Sequence, residues 1–181
     1  MSSLILVIEK FEGIIGALLG VVVTMLMNEY LKAKGKIKFY FQDFKLKYLE
    51  EDSEGGYEEC EKEKDYTLVR YNFKVQLYNS SENRKILRDI KIVFVGNKGT
   101  IYNIVQNTDS RRVNFDRLIS DDVNIINLNP KEIIEIGLEG QINKSSGDIK
   151  ILRDIDKIYL IAKDSKDRSI KKIIKNYSKT S

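Results

Sequence analysis

Residues 67–77 read TLVRYNFKVQL. Thr67, Val69, Tyr71, Phe73, Val75 and Leu77 fall on one face of an extended chain, and Arg70, Asn72, Lys74 and Gln76 fall on the other. Side chains alternate with a period of two along a strand, so the stretch predicts a strand with one face in a core and one in water. Its inner set is mostly β-branched and aromatic, which suits a pleated, half-buried surface.

The same alternation extends to either side. Ile37, Phe39 and Phe41 alternate with Lys36, Lys38 and Tyr40, and Phe44, Leu46 and Tyr48 continue in shifted phase. A one-residue slip would turn the apolar set outward, so the shift predicts a bulge near Gln42–Asp43. Asn79–Arg84 has the chemistry of a turn, Ile90–Val95 reads as a strand, and Gly96–Gly99 leads into Ile101–Val105 as a hairpin. Val123–Leu128, Lys131–Ile142 and Lys157–Lys163 follow as strands, the last turning through Asp164–Arg168 into Ser169–Ile174. About eight short strands with single apolar faces point to an antiparallel sandwich.

The hexapeptide KILRDI occurs at Lys85–Ile90 and again at Lys150–Ile155, each preceded at the same offset by a serine pair, Ser80-Ser81 and Ser145-Ser146. Both copies lead into an apolar stretch. The expectation is that they share one backbone conformation and enter neighbouring central strands related by a pseudo-twofold. The long second strand, the short helical connection before the penultimate strand and the terminal hairpin resemble an immunoglobulin-like sandwich over residues 36–174. Paired cysteines and a core tryptophan are absent, so the resemblance implies a fold and no activity.

Ahead of the sandwich, residues 13–27 read GIIGALLGVVVTMLM, without a charge. As a helix these residues rise only about 22 Å, short of a ~30 Å hydrocarbon core, so the span must recruit Leu4–Phe11. Glu9 and Glu12 lie before the apolar run, and Lys32, Lys34, Lys36 and Lys38 follow it. A signal peptide has the opposite order of charge. The lysines are therefore read as topology determinants and contacts for anionic lipid, with the N-terminus outside and the large domain cytoplasmic, at the cell (inner) membrane. Gly13, Gly16, Gly20 and Thr24 share one side of this helix, and the pair Gly16 and Gly20 forms a small-xxx-small motif that lets helices approach closely in lipid. In a homo-oligomer packed on that face, Glu9 or Glu12 would ring the outer mouth, and acidic rings favour cations in pores.

The fold class expected is thus mainly β: one N-terminal transmembrane α-helix followed by an antiparallel immunoglobulin-like β-sandwich. Residues 1–35 are the helix and basic juxtamembrane segment, 36–177 the domain, and 178–181 a polar tail.

Composition narrows the chemistry. Histidine is absent and Cys60 is the sole cysteine, which removes Ser-His-Asp and Cys-His nucleophile systems, histidine metal ligands and intrachain disulfides. No cofactor, metal or catalytic residue is expected, and the protein is read as non-enzymatic. From Glu50 to Asp65 nine carboxylates stand against two lysines, net −7 in a chain of +4, which leaves +11 for the rest. This acidic stretch reads as a solvated loop, without the ligand order of an EF-hand. The basic residues Arg84, Lys85, Arg88, Arg111, Arg112, Lys171, Lys172, Lys175 and Lys179, near Tyr102 and Phe115, raise a nucleotide or nucleic-acid signal as a partner, although no module signature is present.

A short membrane helix joined to a small cytosolic domain resembles, in general plan, the membrane-disrupting effectors of bacterial antiphage defence. That resemblance implies an oligomerising effector, with an ion-conducting pore as one form, under a cytosolic sensor that responds to a protein or nucleotide. The alternative is a passive anchored adaptor, in which the sandwich binds a protein through a strand edge and the helix only localises it.

Overall fold

The alternation at residues 67–77 holds in three dimensions: Val69, Tyr71, Phe73, Val75 and Leu77 are buried, while Arg70, Asn72 and Lys74 face water. The structure, a computed structural model, describes the backbone of residues 2–62, 65–114, 117–143 and 149–177, and their side chains except those of 2–10, 117 and 150. The polar tail expected at 178–181 and the Ser145-Ser146 pair lie outside the described residues.

In chain order the elements are α1 (Ser2–Ala33), β1 (Ile37–Glu51), β2 (Tyr57–Cys60), β3 (Leu68–Asn79), β4 (Lys85–Gly96), β5 (Gly99–Ile104), β6 (Gln106–Asn107), β7 (Arg112–Asn114), β8 (Arg117–Ile119), β9 (Ile125–Leu128), β10 (Ile133–Asn143), β11 (Ile155–Lys163) and β12 (Ser169–Asn176), with 3-10 turns at Thr108–Ser110 and Ile149–Asp154. One sheet runs β2-β1-β3-β10-β6 and the other β12-β11-β4-β5, with β9 beside the first half of β4 and β7-β8 a separate hairpin. All pairings are antiparallel. The sheets enclose a core in which Phe73, Val75, Leu77 and Leu138 from the first meet Ile92, Phe94, Ile158 and Leu160 from the second. Tyr71 crosses the core to bond Asn103 Oδ1 at 2.6 Å on β5, and burial pushes its phenol pKa up.

The bulge expected near Gln42–Asp43 is present. The β1–β3 register shifts between Gln42 and Lys45, and Asp43 takes a positive φ of 54°. The acidic stretch, by contrast, is not simply a loop. Glu50 and Glu51 end β1, a turn at Asp52–Gly56 is closed by the Asp52 carboxylate on the N–H groups of Glu54 and Gly56, and β2 returns with Cys60 opposite Tyr48. The short strands β2, β6, β7 and β8 carry too few apolar residues for periodicity to reveal them.

The two KILRDI copies correct the expectation of a shared backbone. They do lead into β4 and β11, which pair with each other. Lys85–Ile90, however, is itself strand, paired to β9 and bulged at Asp89 (φ 51°), so β4 begins five residues before the predicted Ile90. The second copy is a 3-10 turn. Its surroundings explain the difference: Tyr66 Oη donates to Ile149 O at 3.0 Å and Tyr48 Oη to Leu152 O at 3.1 Å, so tyrosines rather than a neighbouring strand take these carbonyls. Side-chain roles are nonetheless shared. Leu87 and Leu152 are buried, Ile90 and Ile155 are buried, and Arg88 and Arg153 each reach a distant aspartate at 2.7 Å, Asp167 and Asp65.

The β11–β12 turn is held by Asp164, whose carboxylate accepts the Arg168 guanidinium (Nε at 2.7 Å) and the N–H groups of Lys166 and Arg168. These contacts, the Arg168 side chain foremost, hold its carboxyl at about 2. Because the folded pKa is depressed, the turn should keep its full contribution above about pH 4 and lose it as pH falls through about 2. Following the Arg168 amide by NMR should give a midpoint near 2 that vanishes in Asp164→Asn; a midpoint near 4 would contradict the contact.

Candidate functional site

The helix α1 is continuous from Ser2 to Ala33, so Leu4–Phe11 and the apolar run after them belong to one helix. Phe11–Ala33 is long and apolar enough to cross a membrane, at about 35 Å, and none of it is buried against the sandwich. Gly13, Gly16 and Gly20 have open space where a Cβ would stand. Thr24 Oγ1 donates to Gly20 O at 2.7 Å, which satisfies its hydroxyl within the helix and keeps it compatible with lipid. Ala17 lines a shallow groove with Gly13 and Val21 and so widens the small face; sequence spacing alone had not singled it out. Glu12 is exposed, and the side chain of Glu9 lies outside the described residues.

At its C-terminal end the helix is spliced onto the β3–β4 turn. A helix leaves its last carbonyls without intrahelical partners. Here Lys32 O accepts the Glu82 N–H at 3.1 Å and Ala33 O accepts the Lys85 ammonium at 3.3 Å. Lys36 and Ser80 then exchange three bonds: Lys36 N–H to Ser80 Oγ (2.9 Å), Ser80 Oγ to Lys36 O (2.8 Å) and Ser80 N–H to Lys36 O (3.1 Å). Between them Gly35 lies against the backbone of Ser80 and Ser81 so closely that any Cβ would overlap it.

The turn is itself anchored by Asn79, whose side chain is fully buried. Its amide nitrogen reaches the carbonyls of Asn83, Leu128 and Asn129, and its oxygen accepts the Ser81 N–H and hydroxyl. Lys131 adds its N–H to Ser81 O and its ammonium to Ser80 O. One buried asparagine therefore ties the ends of β3 and β9 and the start of β10 to the loop that grips the helix. The sequence marked Asn79–Arg84 as a turn, but nothing in it said what the turn would hold.

Residues 35–175, which take in Gly35 and the sandwich short of the last residue of β12, match the YopI Ig-like domain family. The chain belongs to that family. A curated relative, the SPbeta prophage-derived uncharacterized protein YopI of Bacillus subtilis (strain 168), is 33% identical over 174 residues, covering 94% of this chain and 97% of the relative. That span exceeds the Ig-like domain, so the likeness runs into the helical segment as well.

Within this YopI-family domain the basic residues raised for a nucleotide or nucleic-acid signal have local partners, Arg111 with Glu139 among them. Arg84 holds Asn129, Lys85 caps the helix, Arg88 pairs with Asp167, and Arg112 with Asp121. Lys171, Lys172 and Lys175 lie over the rings of Tyr159, Phe39 and Tyr177. Phe115 and Lys179 are outside the described residues. Of the juxtamembrane lysines, Lys32 pairs with Glu29 at 3.2 Å and Lys38 lies over Tyr78, with Lys34 and Lys36 exposed beside the splice. Among the described residues no group of three or more Cys, Asp or Glu is arranged to hold a metal ion.

Removing the Asn79 side chain strands several buried polar groups, so Asn79→Ala should cost about 2–4 kcal/mol. Denaturant unfolding of the detergent-solubilised chain measures it; a cost within about 0.5 kcal/mol, typical of surface changes, would contradict the anchoring role.

Proposed function

We propose that this protein is a single-pass membrane protein in which the Ig-like domain acts on the packing of a self-associating transmembrane helix: an effector under a cytosolic sensor rather than a passive tether. The observation that carries the reading is the splice at Gly35. A tether needs only a flexible linker, which decouples the two parts. A helix whose last carbonyls are hydrogen-bonded to the domain, through a glycine that permits backbone contact, moves with the domain as one lever. Any event that tilts or pairs the domains then reorients the helices.

Within the bilayer the face of Gly13, Gly16, Ala17, Gly20 and Thr24 is the contact surface for a second copy. The lysines after the helix keep the domain in the cytoplasm, and Lys34 and Lys36 lie at anionic headgroups. Glu12, with Glu9, stands at the opposite end, where an oligomer would present a ring of carboxylates that favours cations. The prophage origin of the relative fits a role in conflict between phage and host. The protein performs this role without enzymatic chemistry, cofactor or metal.

Two substitutions and one insertion test the reading in cells that report membrane potential. Gly16→Leu and Gly20→Leu should abolish both the cross-linked oligomer and depolarisation, with insertion unchanged. A Gly-Ser insertion of four residues between Lys34 and Gly35 should leave the oligomer and abolish the domain's control over it. Depolarisation that survives all three, or its absence on overexpression of the unaltered chain, would leave the passive adaptor instead.

A further inference from the structure

The outer face of the first sheet carries a cleft that the membrane reading does not use. The 3-10 turn at Thr108–Ser110 crosses this face where Gly137 leaves room for Thr108, and Arg111, Leu118 and Ser120 stand as a wall over β3 and β10. Between wall and sheet lies a cleft of about 390 Å³. Lys45 stands opposite Asn72 and Lys47 opposite Arg70 across β1 and β3, while β10 places Glu139 beside Asn72 and Gln141 beside Arg70.

The charge is uneven. Like charges directly opposite on a sheet are destabilising, and Lys47 with Arg70 is such a pair. Lys47 is relieved by Glu59 at 2.5 Å, and Arg70 lies over the Tyr57 ring. The wall contributes Arg111, which pairs with Glu139, a carboxylate that also accepts the Ser120 hydroxyl at 2.7 Å. Four cations thus line the cleft against one carboxylate. Arg70 presents a planar fork suited to phosphate, and Lys45 a point charge beside it. Leu118, 62% exposed on the wall, offers an apolar surface, and the amides of Asn72 and Gln141 lie on the floor.

The geometry points to a binding site for a small phosphate-bearing heterocycle of mononucleotide size: phosphate between Lys45 and Arg70, ring against Leu118, ring edge on the amides. The volume falls in the range of small-molecule pockets. A free ligand is favoured over a lipid headgroup by the distance along the strand. Lys45 is eight residues along β1 from Ile37, about 26 Å from the splice at ~3.3 Å per residue. The cleft stands on its own lining and not on the effector reading; it would bind equally in a passive adaptor.

Isothermal titration of the full chain in detergent, with AMP, GMP, ATP and GTP tested singly, decides the matter. Inorganic phosphate and adenosine serve as the two halves of the ligand. At least one nucleotide should bind more tightly than either half, and affinity should fall as salt rises. Lys45→Ala and Arg70→Ala should each weaken it about tenfold or more, while Lys98→Ala, on the other sheet, leaves it unchanged. Thermal unfolding of the variants without ligand should match the parent, since both residues are exposed. The assignment is overturned if no nucleotide binds at about 1 mM, if phosphate or adenosine alone binds as well, or if the two variants bind like the parent.

Discussion

The structure depends on a contact with no room in it. Gly35 lies against the backbone of Ser80 and Ser81, and that proximity brings the final carbonyls of α1 within reach of Glu82 and Lys85. Its φ is not in the left-handed region; the glycine is needed for space rather than for conformation. The loop it touches is held in turn by Asn79, an amide buried at the end of the central strand with both its donor and acceptor sides engaged. Buried polar networks of this kind are stable only when fully satisfied, and then they fix one geometry. The result is a helix and a sandwich joined without a slack segment between them.

That joint gives meaning to the rest of the helix. The helix is exposed and apolar over more than twenty residues, and apart from the carbonyls at its C-terminal end it is not buried against the domain. Its glycines have open space around them, and the Thr24 hydroxyl is satisfied internally. Membership of the YopI Ig-like domain family covers the sandwich, and the Bacillus subtilis relative matches beyond it. The likeness to that relative therefore takes in both parts.

Most of the sandwich was legible because its strands obey a period of two. The alternation in β3 and the phase shift in β1 led directly to a central strand and to the bulge at Asp43. The failures share one cause. Strand β2, exposed at three of its four residues, and the short strands β6 to β8 have no apolar period to read. KILRDI shows the limit sharply: its last five residues keep one burial pattern, yet the first copy is strand and the second, up to Asp154, a 3-10 turn. Burial is encoded locally, whereas the fate of backbone carbonyls depends on Tyr48 and Tyr66, about a hundred residues away. The splice and the cleft were hidden for a similar reason. Gly35 and Ser81, or Lys45, Arg70 and Arg111, acquire a common purpose only once distant strands are in register.

The most direct measure of the central claim is the distance between helix and domain in a bilayer. Spin labels at Glu29→Cys and Lys98→Cys, in a Cys60→Ser background reconstituted in nanodiscs, report it by pulsed electron resonance. A spliced helix gives one narrow intramolecular distance distribution. A broad distribution, as wide as that of a chain carrying a flexible insert before Gly35, would show that the helix and the Ig-like domain move independently and would remove the basis of the account.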